Sequence, residues 1–172
     1  KEYEVDCIIF ATGFEVGTDY SRRAGYQIHG SDGLTVSQKW GDGLSTFHGM
    51  HSRGFPNSFF FGPAQSGFTA TYTYSLDEQS IHLAYILKKA KEQGATRIEA
   101  SAEAEEKWIN TIIEKARLTA TFQENCTPGY YNNEGKVNQT PQNNTYGGGP
   151  IEFFSLMKKW RTKDNLEGLE LS

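Results

Sequence analysis

Short apolar runs and longer amphipathic stretches alternate along an otherwise polar chain. The first run, Val5 and Cys7 through Phe10, is rich in β-branched residues and predicts a strand buried on both faces. It stops at Ala11-Thr12-Gly13-Phe14, where Gly13, lacking Cβ, permits a sharp turn and close approach to the backbone. Ser58 to Phe61 predicts a second short strand, and it too ends on a breaker, Gly62-Pro63. If the two strands are neighbours in one sheet, their ends at Gly13 and Gly62 share an edge. Ligands in open α/β sheets sit beyond such carboxyl ends. Between them, Tyr26 to His29 and Leu34 to Val36 read as short strands around a Ser31-Asp32-Gly33 turn, and Trp40-Gly41-Asp42-Gly43 is a further break.

Three helices follow from the remaining pattern. Leu76, Leu83, Ala84, Leu87 and Ala90 recur at helical spacing, widened by Ile81 and Ile86. Ser75 and Glu78 match a capping box, with Thr69 and Thr71 as earlier caps, and Gly94 stops the helix. A second helix runs from about Ser101 to Leu118, with Trp108, Ile109, Ile112, Ile113 and Ala116 as its apolar side. Glutamates crowd its start and Lys115 and Arg117 its end, as the helix dipole favours. Residues 119–149 are polar and rich in Asn, Gly and Tyr, which is long for a structureless loop. Pro150 opens a third helix carrying Ile151, Phe153, Phe154, Met157 and Trp160, and Leu166, Leu169 and Leu171 suggest a closing strand.

Composition narrows the class. The 172 residues suffice for one domain with a core, and a net charge of −4 argues against a nucleic-acid footprint. Cys7 and Cys126 make no metal pattern, no apolar run is long enough to span a bilayer, and no signal peptide is written, so the sequence predicts a cytoplasmic protein without a membrane partner. Lys1 stands where a start methionine would, and a strand begins almost at once. The sequence therefore reads as a piece of a longer protein.

Several catalytic motifs fail. Gly129 to Lys136 has five residues between its glycines where a phosphate loop has four, and Val137 replaces the Mg²⁺-binding hydroxyl. His48 and His51 lack a third ligand, no nucleophile elbow exists, and no Gly-x-Gly-x-x-Gly fingerprint is present to hold a dinucleotide pyrophosphate. What remains is Gly62 to Gly67, between a predicted strand and a helix N-terminus, where unpaired N–H groups suit an anionic or electron-rich group. A plain strand-to-helix connection fits the same residues.

These residues carry a resemblance. Asp6 to Phe14 resembles the Ala-Thr-Gly-Phe signature of class B flavoprotein monooxygenases. Trp40-Gly-Asp-Gly43, then Gly54-Phe-Pro-Asn-Ser-Phe-Phe-Phe-Gly-Pro63, is similar to the same family's stretch in the same order. The best-matched subgroup is the Baeyer-Villiger monooxygenases. The resemblance implies an α/β fold, the C-terminal portion of a Rossmann-like FAD-binding domain in a flavoprotein with two dinucleotide-binding domains. Residues 1–14 would be the strand and linker returning from the NADP domain. Residues 15–172 would complete the FAD and substrate domain, with a mobile loop at about 119–149. FAD and NADP would be the cofactors, and a ketone, O₂ and the N-terminal FAD and NADP domains the partners. In such enzymes a C4a-peroxyflavin inserts oxygen next to a ketone carbonyl, giving an ester or lactone.

Carried over by position, Ala11, Thr12, Gly13 and Phe14 would line the cofactor cleft. Gly62, Pro63 and Ala64 would pass near the isoalloxazine. Gln65, Ser66, Gly67, Phe68 and Thr69 would form the substrate-pocket wall. Cys126 would stand on the mobile loop where the family often has Trp, also against the cofactor. No catalytic residue and no metal ligand is implied within this stretch. Alone it is expected to be inactive and to self-associate through Val5 to Phe10. The competing readings are a non-enzymatic α/β interaction module on a flavoprotein-like scaffold and an N- or S-oxidising flavin monooxygenase.

Overall fold

In the computed structural model, residues 1–11, 21, 24–116 and 141–172 are described. Ser31-Asp32-Gly33 turns the chain as expected. Gly30 N–H donates to Leu34 O and Val36 N–H to Ile28 O, with Gly33 at φ 78°. The strand expected over Leu34 to Val36 gives way to a short helix, α1 (Val36–Lys39). The reason is a capping box: Thr35 Oγ1 accepts from Gln38 N–H, and the Gln38 side chain accepts from Thr35 N–H.

Helix α2 (Tyr72–Glu92) starts at Thr71, before the capping box expected at Ser75, and ends at Gly94 with φ 71°. Strand β1 (Ile98–Ala100) follows, then α3 (Ala102–Lys115), capped by Ser101, whose hydroxyl accepts from Ala104 N–H. A 3₁₀ turn (Pro141–Asn143) precedes α4 (Gly149–Thr162), with Pro150 in its first turn. The closing strand appears as β2 (Leu169–Leu171). It pairs antiparallel with β1, Ile98 opposite Leu171 and Ala100 opposite Leu169.

Neither apolar run expected as a buried strand forms one. Val5 to Phe10 has no ladder partner among the described residues, and Ile9 and Phe10 are 83% and 85% exposed. A strand without a neighbour must leave its N–H and C=O groups to water, so nothing closes over it. Ser58 to Phe61 is irregular. Phe60 N–H donates to Met50 O, and the Phe60 ring is buried with Val36 and Phe55, while Phe61 is exposed. The loop at Met50 takes the hydrogen bond that a partner strand would need.

The main core joins α2, α3 and α4 through Ile86, Ala90, Trp108, Ile112, Phe153, Met157 and Trp160, closed by Phe47, Ile98 and Leu166. Helix α2 presents an unexpected side to it. Its buried residues are Ser75, Gln79, His82, Ile86 and Ala90, whereas Ile81 and Leu87 are exposed. Two buried carboxylates pin the 52–54 segment to this core. Glu105 accepts from Lys39 Nζ at 2.8 Å and from Arg53 N–H at 2.7 Å. Glu99 accepts from Gly54 N–H at 2.6 Å and from the Arg97 guanidinium at 2.9 Å.

Candidate functional site

The Gly62 to Thr69 turn is built from the core outward. Gln65 sits at φ 54°, a region that side chains with a Cβ enter rarely. Its own hydrogen bonds hold it there. Oε1 accepts from Thr46 Oγ1 at 2.5 Å, and Nε2 donates to Leu44 O and Gln142 O at 2.7 and 2.8 Å. Its N–H donates to Asn144 O, and its carbonyl accepts from Trp108 Nε1. Every polar group of Gln65 thus has a protein partner, and the turn is tied to α3 and to the Pro141–Asn144 segment.

Ser66 is equally enclosed. Its Oγ donates to Gly62 O at 2.5 Å, and Gln79 Nε2 donates to both Gly62 O and Ser66 Oγ at 2.9 and 3.0 Å. At Gly67 a Cβ would stand 2.7 Å from the Phe153 ring, so the backbone lies directly on α4. The outer side differs. Gly62, Pro63 and Ala64 are half-buried, and among the described residues no acceptor meets the N–H of Gly62 or Ala64. Phe68 is exposed, its ring 6.0 Å from that of Tyr72, and Thr69 Oγ1 donates to Thr71 O. The turn thus runs into the start of α2 through Phe68 and Thr69 and is bonded to the same helix again about two turns in, at Gln79.

Ala11 is exposed. Thr12, Gly13, Phe14 and Cys126 lie outside the described residues, and with Gly13 lies the expected shared edge of Gly13 and Gly62. The structure therefore brings Gly62 to Thr69 into one turn and shows Ala11 on an exposed segment.

Beneath the turn lies a group that sequence reasoning split. His48, His51 and His82 are all buried. The His48 ring stacks on Phe47 at 3.7 Å and meets the rings of Trp108, Trp160 and His82 edge-on at 5.1, 5.4 and 5.4 Å. His48 Nδ1, His51 Nε2 and His82 Nε2 have no hydrogen-bond partner among the described residues. Burial drives all three below the usual imidazole range, His51 to about 4 and His82 to about 3. Arg161, whose guanidinium lies 3.3 Å from His82 Nδ1, pushes His82 down further. All three are neutral core side chains, and no metal-binding group of three or more His, Cys, Asp or Glu exists among the described residues. The signal for His82 was its spacing with Gln79, Ile86 and Ala90, which marks one helix face.

No protein-family model matches the chain. Relatives match along nearly all of it. Neopentalenolactone D synthase of Streptomyces avermitilis is 47% identical over 99% of this chain, and a Baeyer-Villiger monooxygenase of Stachybotrys chlorohalonatus is 38% identical over 99%. The chain spans 29% and 28% of these two relatives, under a third of their length. Among solved structures, the polycyclic ketone monooxygenase of Thermothelomyces thermophila superposes with a TM-score of 0.82 at 31% identity, covering 89% of this chain and 25% of that one. Cyclohexanone monooxygenase of Rhodococcus bound to NADP⁺ shares the fold, with a TM-score of 0.73 at 22% identity over 88% of this chain and 28% of that one.

Proposed function

We propose, from the premise that this chain is homologous throughout to a segment of the Baeyer-Villiger monooxygenases, that it serves as the C-terminal portion of the FAD domain in a flavin- and NADPH-dependent enzyme acting on a ketone. The observation that carries this reading is the Gly62 to Gly67 turn: a rigid, internally bonded inner side and a half-buried outer backbone with two uncommitted N–H groups. Small residues and free amide donors suit the polar edge of a flat, electron-rich ring, so the residues fit FAD on their own chemistry. FAD, when bound, supplies the activation of O₂ by which an oxygen atom is placed beside the carbonyl, and NADPH supplies the reducing equivalents.

The chain's own task is to place and shield. Gly62, Pro63 and Ala64 stand at the flavin. Phe68 and Thr69 form the accessible part of the substrate wall, and Gln65, Ser66 and Gly67 hold that wall from behind. Ala11, Thr12, Gly13 and Phe14 line the cofactor cleft, and Cys126 lies on the loop at 119–149 that covers it. Residues 1–14 join the FAD and NADP domains, and exposed Val5 to Phe10 meets its strand partners there; in this chain by itself the same run drives self-association. No helix among the described residues is long and apolar enough to cross a membrane. We read the enzyme as cytoplasmic. The test is the full-length protein. It should purify yellow, oxidise NADPH faster when a cyclic or polycyclic ketone is added, and yield a product heavier by one oxygen atom with the mass and fragmentation of a lactone or ester. A colourless protein with no ketone-dependent NADPH oxidation would end the proposal.

A further inference from the structure

Gln79 lies about two turns into α2 and is only 3% exposed. Both bonds from its Nε2 run to the turn, to Gly62 O and Ser66 Oγ, and Ser66 Oγ bonds the same carbonyl. The three groups close a ring that joins the helix to both ends of the turn. The Gly62 carbonyl belongs to the Gly62-Pro63 peptide, which has no N–H. Its plane can therefore be held only through that oxygen. Gln79 Oε1, meanwhile, is buried without a partner among the described residues. An unmet buried acceptor costs about 1–3 kcal/mol, whereas a methionine of similar volume would leave none. Packing alone does not favour glutamine here.

We propose that Gln79 is a positioning residue for the substrate site: its carboxamide fixes the Gly62-Pro63 peptide plane, and with it the clearance between the flavin-facing backbone and the wall at Phe68. This rests on the reading of the turn as the flavin and ketone site. Gln79 itself touches neither group.

The experiment compares the full-length wild type with Q79M and Q79E. In Q79M, hydrogen exchange of the Gln65 and Ser66 amides should rise about tenfold, and the ketone KM should rise about tenfold while the NADPH KM and the flavin-reduction rate stay within about twofold. In Q79E the ionised carboxylate cannot donate to Gly62 O, so at about pH 8 it should match Q79M. As pH falls the buried carboxyl takes a proton and regains a donor. The ketone KM of Q79E should then recover toward wild type while that of Q79M stays flat. A merely structural role would lower the melting temperature without that split or that recovery. An active, yellow Q79M with unchanged ketone KM overturns the positioning role alone. A wild type that binds no flavin and oxidises no ketone removes the functional reading and the positioning role with it.

Discussion

Lowering the pH from 7 to 5.5 should destabilise this fold by about 4 kcal/mol through His48, His51 and His82 alone. All three are buried, and all three are held neutral by burial, His51 titrating at about 4 and His82 at about 3 against 6.5 for a free imidazole. Well above pH 6.5 folded and unfolded states bind the same number of protons at these sites, so the effect fades there. Below it the unfolded chain takes up protons that the folded chain refuses, and stability falls with pH. At pH 5.5 each site contributes between about 1 and 2 kcal/mol of destabilisation, together about 4 kcal/mol. That is a large share of the ~5–15 kcal/mol typical of a domain. Carboxylates do not confuse this window. Burial pushes the Glu99 carboxyl up, but Arg97, the Gly54 N–H and Arg53 together hold it below its usual value, and Lys115 and Lys89 hold Glu152 and Asp164 low. The stability these groups add is present above their ordinary values of 4.5 and 3.8 and is lost only below them. Urea unfolding followed by tryptophan fluorescence at pH 7, about 6.2 and 5.5 measures the slope directly. His82→Gln should remove about one third of it, whatever its effect at pH 7. A stability constant to within about 0.5 kcal/mol across the window, or a slope untouched by His82→Gln, would refute the argument.

The other predictions concern stability and are read from urea midpoints at pH 7. Glu105→Gln takes the counter-charge from Lys39 at 2.8 Å and weakens the acceptor for Arg53 N–H, and should lower stability by about 3 kcal/mol. Gly67→Ala forces a methyl group toward the Phe153 ring at 2.7 Å and should lower it by about 1–3 kcal/mol. Phe153→Ala opens the centre of the main core and should lower it by about 3–5 kcal/mol. Ile151→Ser, on a side chain 84% exposed, should change it by less than about 0.5 kcal/mol.

The helices were legible because their signals are local. Ser101 caps α3, Gly94 ends α2 and Pro150 opens α4, each through a bond or dihedral confined to a few residues. The strands were not, because a strand is defined by its partner. Val5 to Phe10 has the composition of a buried strand and no neighbour among the described residues. Ile98 to Ala100 reads as nothing in particular and becomes β1 because Leu169 to Leu171 lies beside it. At the site, the turn at Gly62 to Gly67 could be located from its glycines. That Gln65 and Ser66 face inward could not, since their partners Leu44, Thr46, Gln79 and Gln142 are scattered along the chain.

Helix α2 breaks the usual hydropathy rule in part: Ser75, Gln79 and His82 point to the centre beside Ile86 and Ala90, while Ile81 and Leu87 lie outside. Tolerance to substitution should accordingly run against chemical intuition. A library that diversified Ser75, Gln79 and His82 as if they were surface positions would destroy most of its members, whereas one that diversified Ile81 and Leu87 would leave folded variants to screen.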